Sequence, residues 1–289
     1  REKEIKVPGQ CPICSGRVEK AAGEVAYRCV NKNCYAVNLR RLGHWVSKSA
    51  MDIDGLGPKI IEQLYKEGLV RDISDFYKLT MDDLLPLERF ADKSAENLIA
   101  AIAAKKEAEA GRFLYGLGIL HIGEESAQLL AKQFQISNIQ YPISNKISNY
   151  KIKISKIKEY FQNLSLDELQ KFPDIGPVVA KSIYDWFHEQ RNLELLRKLE
   201  KNGLSIKSEK SEAGSKKLDG KTFVLTGSLN QLTRDQAKTK IRELGGDVSS
   251  LVSKNTDYVV AGREPGGKLE KAKKLGVKII GEEEFMKIL

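Results

Sequence analysis

The sequence predicts a multidomain chain of three unlike modules: a small cysteine-held one, a mainly α region and a small α/β domain. Three observations predict this. All four cysteines fall within the first 34 residues, apolar residues between 45 and 200 recur at helical spacing around a repeated turn, and strand and helix patterns alternate after residue 218. A length of 289 residues also calls for more than one compact core.

Composition sets the first limits on function. Mean hydropathy is -0.38, and no apolar run approaches the roughly 20 residues a membrane span needs, so a soluble protein with no membrane partner is expected. The start at Arg1, without a charged-then-apolar leader, predicts no secretory signal and an origin inside a longer parent. A net charge of +9 favours a polyanionic partner. That charge is uneven: residues 46–134 and 165–200 are net acidic. If these stretches meet nucleic acid, they must use local geometry and backbone N–H groups rather than bulk charge.

Residues 1–45 form the first module. Cys11, Cys14, Cys29 and Cys34 read Cys-x-x-Cys, then Cys-x-x-x-x-Cys, the spacing of a tetrahedral zinc site built on two tight loops. Val25, Tyr27 and Cys29 alternate as in a hairpin that brings the two pairs together. Two disulfides are the alternative, but nothing suggests an oxidising compartment. Four protein thiolates leave no open position for water, so the expected Zn2+ is structural and no cysteine remains for catalysis.

Residues 46–200 carry the repeated turn. Gly55-Leu56-Gly57 is followed by Ile61, Arg89-Phe90-Ala91 by Ala95, His121-Ile122-Gly123 by Ala127, and Asp174-Ile175-Gly176 by Ala180. The small positions 57, 91, 123 and 176 are spaced by 34, 32 and 53, the mark of repeated supersecondary units. The physical reason for the pattern is the helix-hairpin-helix. A glycine permits a sharp turn and close approach of a phosphate, and the free N–H groups at the second helix's start hold the anion. Paired hairpins of this kind grip a duplex on both strands without reading its sequence. The expected DNA contacts are Gly55, Gly57, Lys59, Lys93, Ser94, His121, Gly123 and Gly176, with the second hairpin, which lacks glycine, mainly a scaffold. The excess in the last spacing places an insertion at 135–164, whose Ile, Asn, Ser and Lys content predicts a solvated surface loop.

Residues 201–217 are expected to be a linker, with Ser205 to Lys217 a flexible tether that lets the last domain move independently. From 218 to 289 the alternation of elements predicts a small parallel sheet with helices on its faces. Thr226-Gly227 at the end of the first strand, with Lys268 opening a later helix, is a candidate phosphate site; the alternative is a chain turn at Gly227 and a solvated Lys268. Lys217-Leu218-Asp219-Gly220 matches the Lys-x-Asp-Gly nucleophile motif of enzymes that adenylate a lysine. Only 69 residues follow it, and a solvated Lys217 has nothing to lower its pKa, so no catalytic residue is expected in the chain.

This order of modules resembles the C-terminal portion of bacterial NAD-dependent DNA ligases over essentially the whole length. Carrying the resemblance are Cys11-Pro12-Ile13-Cys14, Ala50 to Gly57 leading to Glu62-Gln63-Leu64-Tyr65, Gly123-Glu124, Pro173 to Pro177, and Thr222 to Gly227 with Asp257 to Gly262. The last two stretches look like a BRCT domain. Departures are Arg89, Ala91, Leu120, the 135–164 insertion, and Phe285 where many BRCT domains place Trp. The resemblance implies a clamp on nicked duplex DNA in replication and repair. It also implies a bacterial, cytoplasmic and nucleoid-associated location, and partnership with the parent's adenylation and oligonucleotide-binding domains. NAD and Mg2+ would act only through that missing N-terminal part, leaving this chain inactive by itself. The other expectation carried forward is a non-catalytic DNA-repair scaffold whose BRCT-like domain binds a phosphopeptide or DNA end.

Overall fold

The structure is a computed structural model that describes residues 7–20, 25–139, 151–207, 217–218 and 220–289. The chain begins with an antiparallel ribbon, Val18–Lys20 (β1) and Tyr27–Cys29 (β2), with Val18 opposite Cys29. Helix Tyr35–Val46 (α1) follows directly on Cys34 and buries Leu42, Trp45 and Val46. Pro58–Lys66 (α2) starts on a proline, whose missing N–H costs nothing at a first helical turn. Then come Met81–Leu84 (α3), Asp92–Ala104 (α4), the two-residue strand Glu107–Ala108 (β3), Ala110–Gly116 (α5) and Glu124–Ile139 (α6). Lys151–Ile152 (β4), Ile154–Gln162 (α7), Leu166–Gln170 (α8), Pro177–His188 (α9), Gln190–Lys201 (α10) and Ser205–Lys207 (β5) complete the middle region.

Two expectations fail here. The 135–164 stretch is not simply a solvated loop: α7 buries Ile154, Ile157 and Phe161 completely, and Phe161 stacks on Phe187 with ring centres 4.7 Å apart. Its apolar residues fall at i, i+3 and i+7, one helical face, while the lysines that suggested a loop occupy the others. Residues 140–150 of that stretch lie outside the described residues. The tether does not begin at Ser205 either, because β5 is the central strand of a three-stranded sheet ordered β3-β5-β4. It runs parallel to β3 and antiparallel to β4, and Ile206 is fully buried opposite Ala108 and Ile152. These strands are two or three residues long, too short to register as a period in sequence. The remaining tether, 208–216, is outside the described residues.

The C-terminal domain has Thr222–Thr226 (β6), Arg234–Glu243 (α11), Asp247–Val248 (β7), Tyr258–Ala261 (β8), Gly267–Leu275 (α12), Lys278–Gly281 (β9) and Glu282–Ile288 (α13). Its sheet is all parallel in the order β7-β6-β8-β9. Alternation along β6 sends Phe223 and Leu225 to a core with Ile241, Val260, Ile280 and Phe285, and Val224 to a second core with Val252, Val259 and Ala272. Helices on both faces are what such a two-sided apolar sheet requires. Phe285 is fully buried, tilted against Phe223 at 6.1 Å.

The chain divides into two compact units: Arg1–Ile119 with Tyr150–Asn163 and Tyr184–Lys207, and Leu120–Asn149 with Leu164–Ile183 and Ser208–Leu289. In the first, Trp45 is the centre. It is fully buried, donates its indole N–H to the Tyr77 hydroxyl at 3.2 Å, and meets the Phe113 ring edge-on at 5.9 Å. In the second unit, the C-terminal domain is tied to the third and fourth hairpins rather than free-standing. Lys132 pairs with Asp247 at 2.7 Å, Lys238 with Glu125 at 2.8 Å, and Arg242 with both Glu124 and Glu125. Linker composition speaks only of the tether, so these ion pairs were invisible to it.

Candidate metal centre and nucleic-acid interface

The first cysteine loop closes with Cys11 N–H donating to Gly16 C=O at 2.8 Å and Ser15 N–H to Cys11 C=O at 2.8 Å, with Ser15 in the left-handed region at φ 56°. The second is turned by Asn31, whose carbonyl accepts from Cys34 N–H at 3.0 Å and whose side-chain oxygen accepts from Asn33 N–H. The β1–β2 ribbon brings the loops together. All four sulfurs then lie within 4.8 Å of one another, with Cys14–Cys29 at 3.5 Å and Cys11–Cys34 at 3.9 Å. A zinc tetrathiolate with bonds of about 2.3 Å has sulfur edges of about 3.8 Å, so the spacing fits. All four cysteines are free thiols, which excludes the disulfide alternative in this geometry. The Gly16 N–H, followed by the Asn31 side chain, draws the Cys14 thiol down to about 6. At Cys29 the Asn31 N–H also favours the thiolate, but burial and the hydrogen bonds from the other three sulfurs outweigh it and raise that thiol to about 12. A divalent cation bound by all four sulfurs would favour the thiolate form of each and offset two of the four negative charges.

The four turns share one backbone geometry. Gly55, Arg89, His121 and Asp174 all have positive φ, at 87°, 69°, 66° and 59°. Two residues later stands the small position, the last before the helix, whose carbonyl accepts the first i to i−4 bond: Ile61 N–H donates to Gly57, Ala95 to Ala91, Ala127 to Gly123 and Ala180 to Gly176, all at 2.9–3.0 Å. The four donating residues, Ile61, Ala95, Ala127 and Ala180, are buried, as are Leu56, Ile122 and Ile175 inside the turns. The left-handed residue is thus the first of each triplet, and only hairpin one fills it with glycine. Gly57, with φ −72°, is extended and needs no glycine for conformation, and neither Gly123 nor Gly176 has positive φ. A Cβ at any of these three would meet no described atom within 4 Å.

Among the other candidates, Lys59 and Lys93 are exposed beside their turns. Ser94 is occupied locally: its hydroxyl accepts from Ala91 N–H at 2.9 Å and donates to Ala91 C=O at 2.8 Å. His121 is exposed, with Nδ1 2.9 Å from the Ser182 hydroxyl.

In the C-terminal domain, Gly227 is explained by the fold. Its φ is 76°, and a Cβ would collide with the Arg263 carbonyl where Ser228 and Arg263 bridge β6 to the end of β8. Lys268 is half-buried rather than solvated. Desolvation first, then the nearby Arg234 and Lys238, push its pKa down. Arg234 donates to the Gly227 carbonyl at 3.2 Å next to the buried Thr226, and Lys238, near Lys268, is paired with Glu125 at 2.8 Å. Sequence reading missed Arg234 and Lys238; their spacing of four on one helix was the available signal. Lys217 is exposed.

Known proteins resemble the chain segment by segment. The NAD-dependent DNA ligase C4 zinc finger domain matches residues 10–36, the SAM-like helix-hairpin-helix tandem 47–104, the helix-hairpin-helix motif 156–196 and the BRCA1 C Terminus (BRCT) domain 213–289. The third turn lies between the two hairpin matches, and the second begins inside α7. Proteins named DNA ligase from Thermoanaerobacter pseudethanolicus and Syntrophotalea carbinolica are 41% and 43% identical over 289 residues. One from Trichlorobacter lovleyi is 43% identical over 290. Each alignment covers all of this chain but only 39–40% of the relative, so the chain spans about two fifths of their length. No described helix is long and apolar enough to cross a membrane. The cysteine cluster is accordingly a structural Zn2+ site, and the chain carries the zinc-finger, helix-hairpin-helix and BRCT portion of bacterial NAD-dependent DNA ligases.

Proposed function

We propose that this chain clamps nicked duplex DNA for an NAD-dependent ligase whose adenylation and oligonucleotide-binding domains lie elsewhere in the protein. The observation that carries the reading is the three glycines, Gly57, Gly123 and Gly176, which nothing inside the fold requires. A side chain there would project from the helix start, where unpaired backbone N–H groups and the positive end of the helix dipole favour a phosphate. Absence of a side chain therefore serves something that comes from outside. Contacts to phosphate hold either strand without reading bases, as an enzyme acting at any nick requires. The zinc keeps the first module folded against α1, and Lys59 and Lys93 add charge beside the first two turns. Thr226 and Lys268, with Arg234, offer a further phosphate position in the C-terminal domain. On this reading NAD and Mg2+ serve the absent domains, the chain works on nucleoid DNA in the cytoplasm, and it has no joining activity alone.

Supplying the chain in trans to the adenylation and oligonucleotide-binding portion of a relative tests this. Nick joining that rises with added chain supports the clamp. Tight duplex binding with no effect on joining supports the non-catalytic scaffold instead.

A further inference from the structure

A cavity of 260 Å³ in the first compact unit opens between α1, residues 71–73 and α10. Arg41, Arg71, Arg191 and Lys198 line it, with Asp72 and Glu194 as its carboxylates. Both carboxylates are already engaged. Asp72 pairs with Lys198 at 3.0 Å and accepts from Ser74, while Glu194 holds Arg197 through two hydrogen bonds of 2.9 and 2.7 Å. Among the described residues none of the three guanidinium groups forms an ion pair, although Asp72 attracts Arg41 at longer range. Arg71 lies over the Tyr65 ring at 5.1 Å, and Arg191 donates to the Lys32 carbonyl at 3.3 Å. Arg41, Arg71 and Arg191 are all exposed at the cavity mouth; partial desolvation of Arg41 and repulsion by Arg191 lower its pKa against the attraction of Asp72. Three guanidinium groups and one ammonium converge on a cavity whose two carboxylates are already engaged, so the arrangement points to an anion from outside. The space is below the roughly 300 Å³ where small-molecule pockets begin, and suits a single hydrated anionic group. Guanidinium groups, with their forked donors, match the oxygens of a phosphate.

We propose that Arg41, Arg71 and Arg191 form a phosphate-binding site separate from the four hairpin turns, filled by a backbone phosphate of duplex DNA. The inference deepens the clamp reading and rests on it for the source of the phosphate, but the site itself is tested independently. Phosphate groups also occur on free small molecules, so the experiment has two arms on the full chain. In the first, binding of a nicked duplex is measured against salt for wild type and for Arg41→Gln/Arg191→Gln. Loss of one or two phosphate contacts makes the slope of log K against log salt shallower by about 1 to 2. Arg41→Lys/Arg191→Lys should keep that slope, since it retains the charge. In the second arm, pyrophosphate is titrated while the amide signals of residues 38–42, 71–73 and 191–198 are followed.

A shallower slope in the Gln variant, with its thermal midpoint unchanged, supports the site and its DNA source. An unchanged slope with saturable pyrophosphate shifts confined to those segments, abolished in the Gln variant, supports the site with a free phosphorylated ligand and overturns the DNA source. An unchanged slope with no localised shifts overturns the proposal altogether. If the Gln variant is misfolded, the wild-type titration decides alone. Failure of wild type to bind any duplex would sink the clamp reading while leaving the pyrophosphate arm to judge the pocket.

Discussion

The Ser249 hydroxyl donates to the Asp174 carboxylate at 2.6 Å, tying the segment after β7 to the left-handed residue of the fourth hairpin turn. Ser249 is buried, and the bond stands with the Lys132–Asp247 and Arg242–Glu125 pairs. The Glu125 side chain is only 12% exposed, so removing its partners leaves a poorly solvated carboxylate. Arg242→Glu is therefore expected to weaken docking of the C-terminal domain by about 2 kcal/mol or more. Hydrogen exchange over α11 and the first turn of α6 checks this: protection should fall in both together. Unchanged protection in the variant contradicts it.

The metal centre makes a direct prediction. Cys14→Ser or Cys29→Ser should reduce bound zinc from about one per chain to far less and disorder residues 10–36, because binding and folding of such a site are coupled. Metal analysis of chelator-free protein, with amide spectra of that segment, is the check. Full zinc content in either variant would refute the four-thiolate assignment.

Stability should respond unequally at neighbouring turn positions. Gly55→Ala places a Cβ at φ 87° and 3.3 Å from the Leu98 Cδ1, and should cost about 1 to 2 kcal/mol. Gly57→Ala meets nothing and should cost under about 1 kcal/mol. Arg89→Gly relieves a left-handed arginine and should stabilise by about 0.5 to 1 kcal/mol, net of glycine's entropy. Denaturant midpoints rank the three, and a Gly57→Ala loss as large as that of Gly55→Ala would show that Gly57 has an internal structural role.

Acid sensitivity of the C-terminal domain should involve Glu282. The Asn230 N–H and then the Gln231 N–H hold its carboxyl below the ordinary 4.5. A depressed carboxyl contributes stability that is fully present above the unfolded value and lost as pH falls through the folded one, so the loss lies below pH 4.5. Glu282→Gln should flatten this part of the stability curve while leaving its shape near neutrality. An identical acid limb in the variant would assign the effect to other groups.

The features legible in sequence were those whose determinants lie close together in the chain. The cysteine spacing and the turn triplets are local patterns, and the helix-start bonds from Ile61, Ala95, Ala127 and Ala180 fall where the repeat placed them. Helix α7 was obscured because Ile154, Ile157 and Phe161 are separated by lysines that dominate the composition. The left-handed role of Arg89, His121 and Asp174 was hidden because glycine, the usual signal for that conformation, stands two places later at Gly123 and Gly176 and is missing from the second turn. The arginine cavity joins positions 41, 71 and 191, which no local window contains.

The central claim is that the open glycines receive DNA phosphates. Its most direct test is the affinity of Gly57→Val/Gly123→Val/Gly176→Val for a nicked duplex, measured by fluorescence anisotropy at fixed moderate salt beside wild type of matching circular dichroism. The account predicts at least about a tenfold loss, because blocking three backbone approaches removes several charge-assisted contacts. Equal affinity of a folded triple variant would contradict it.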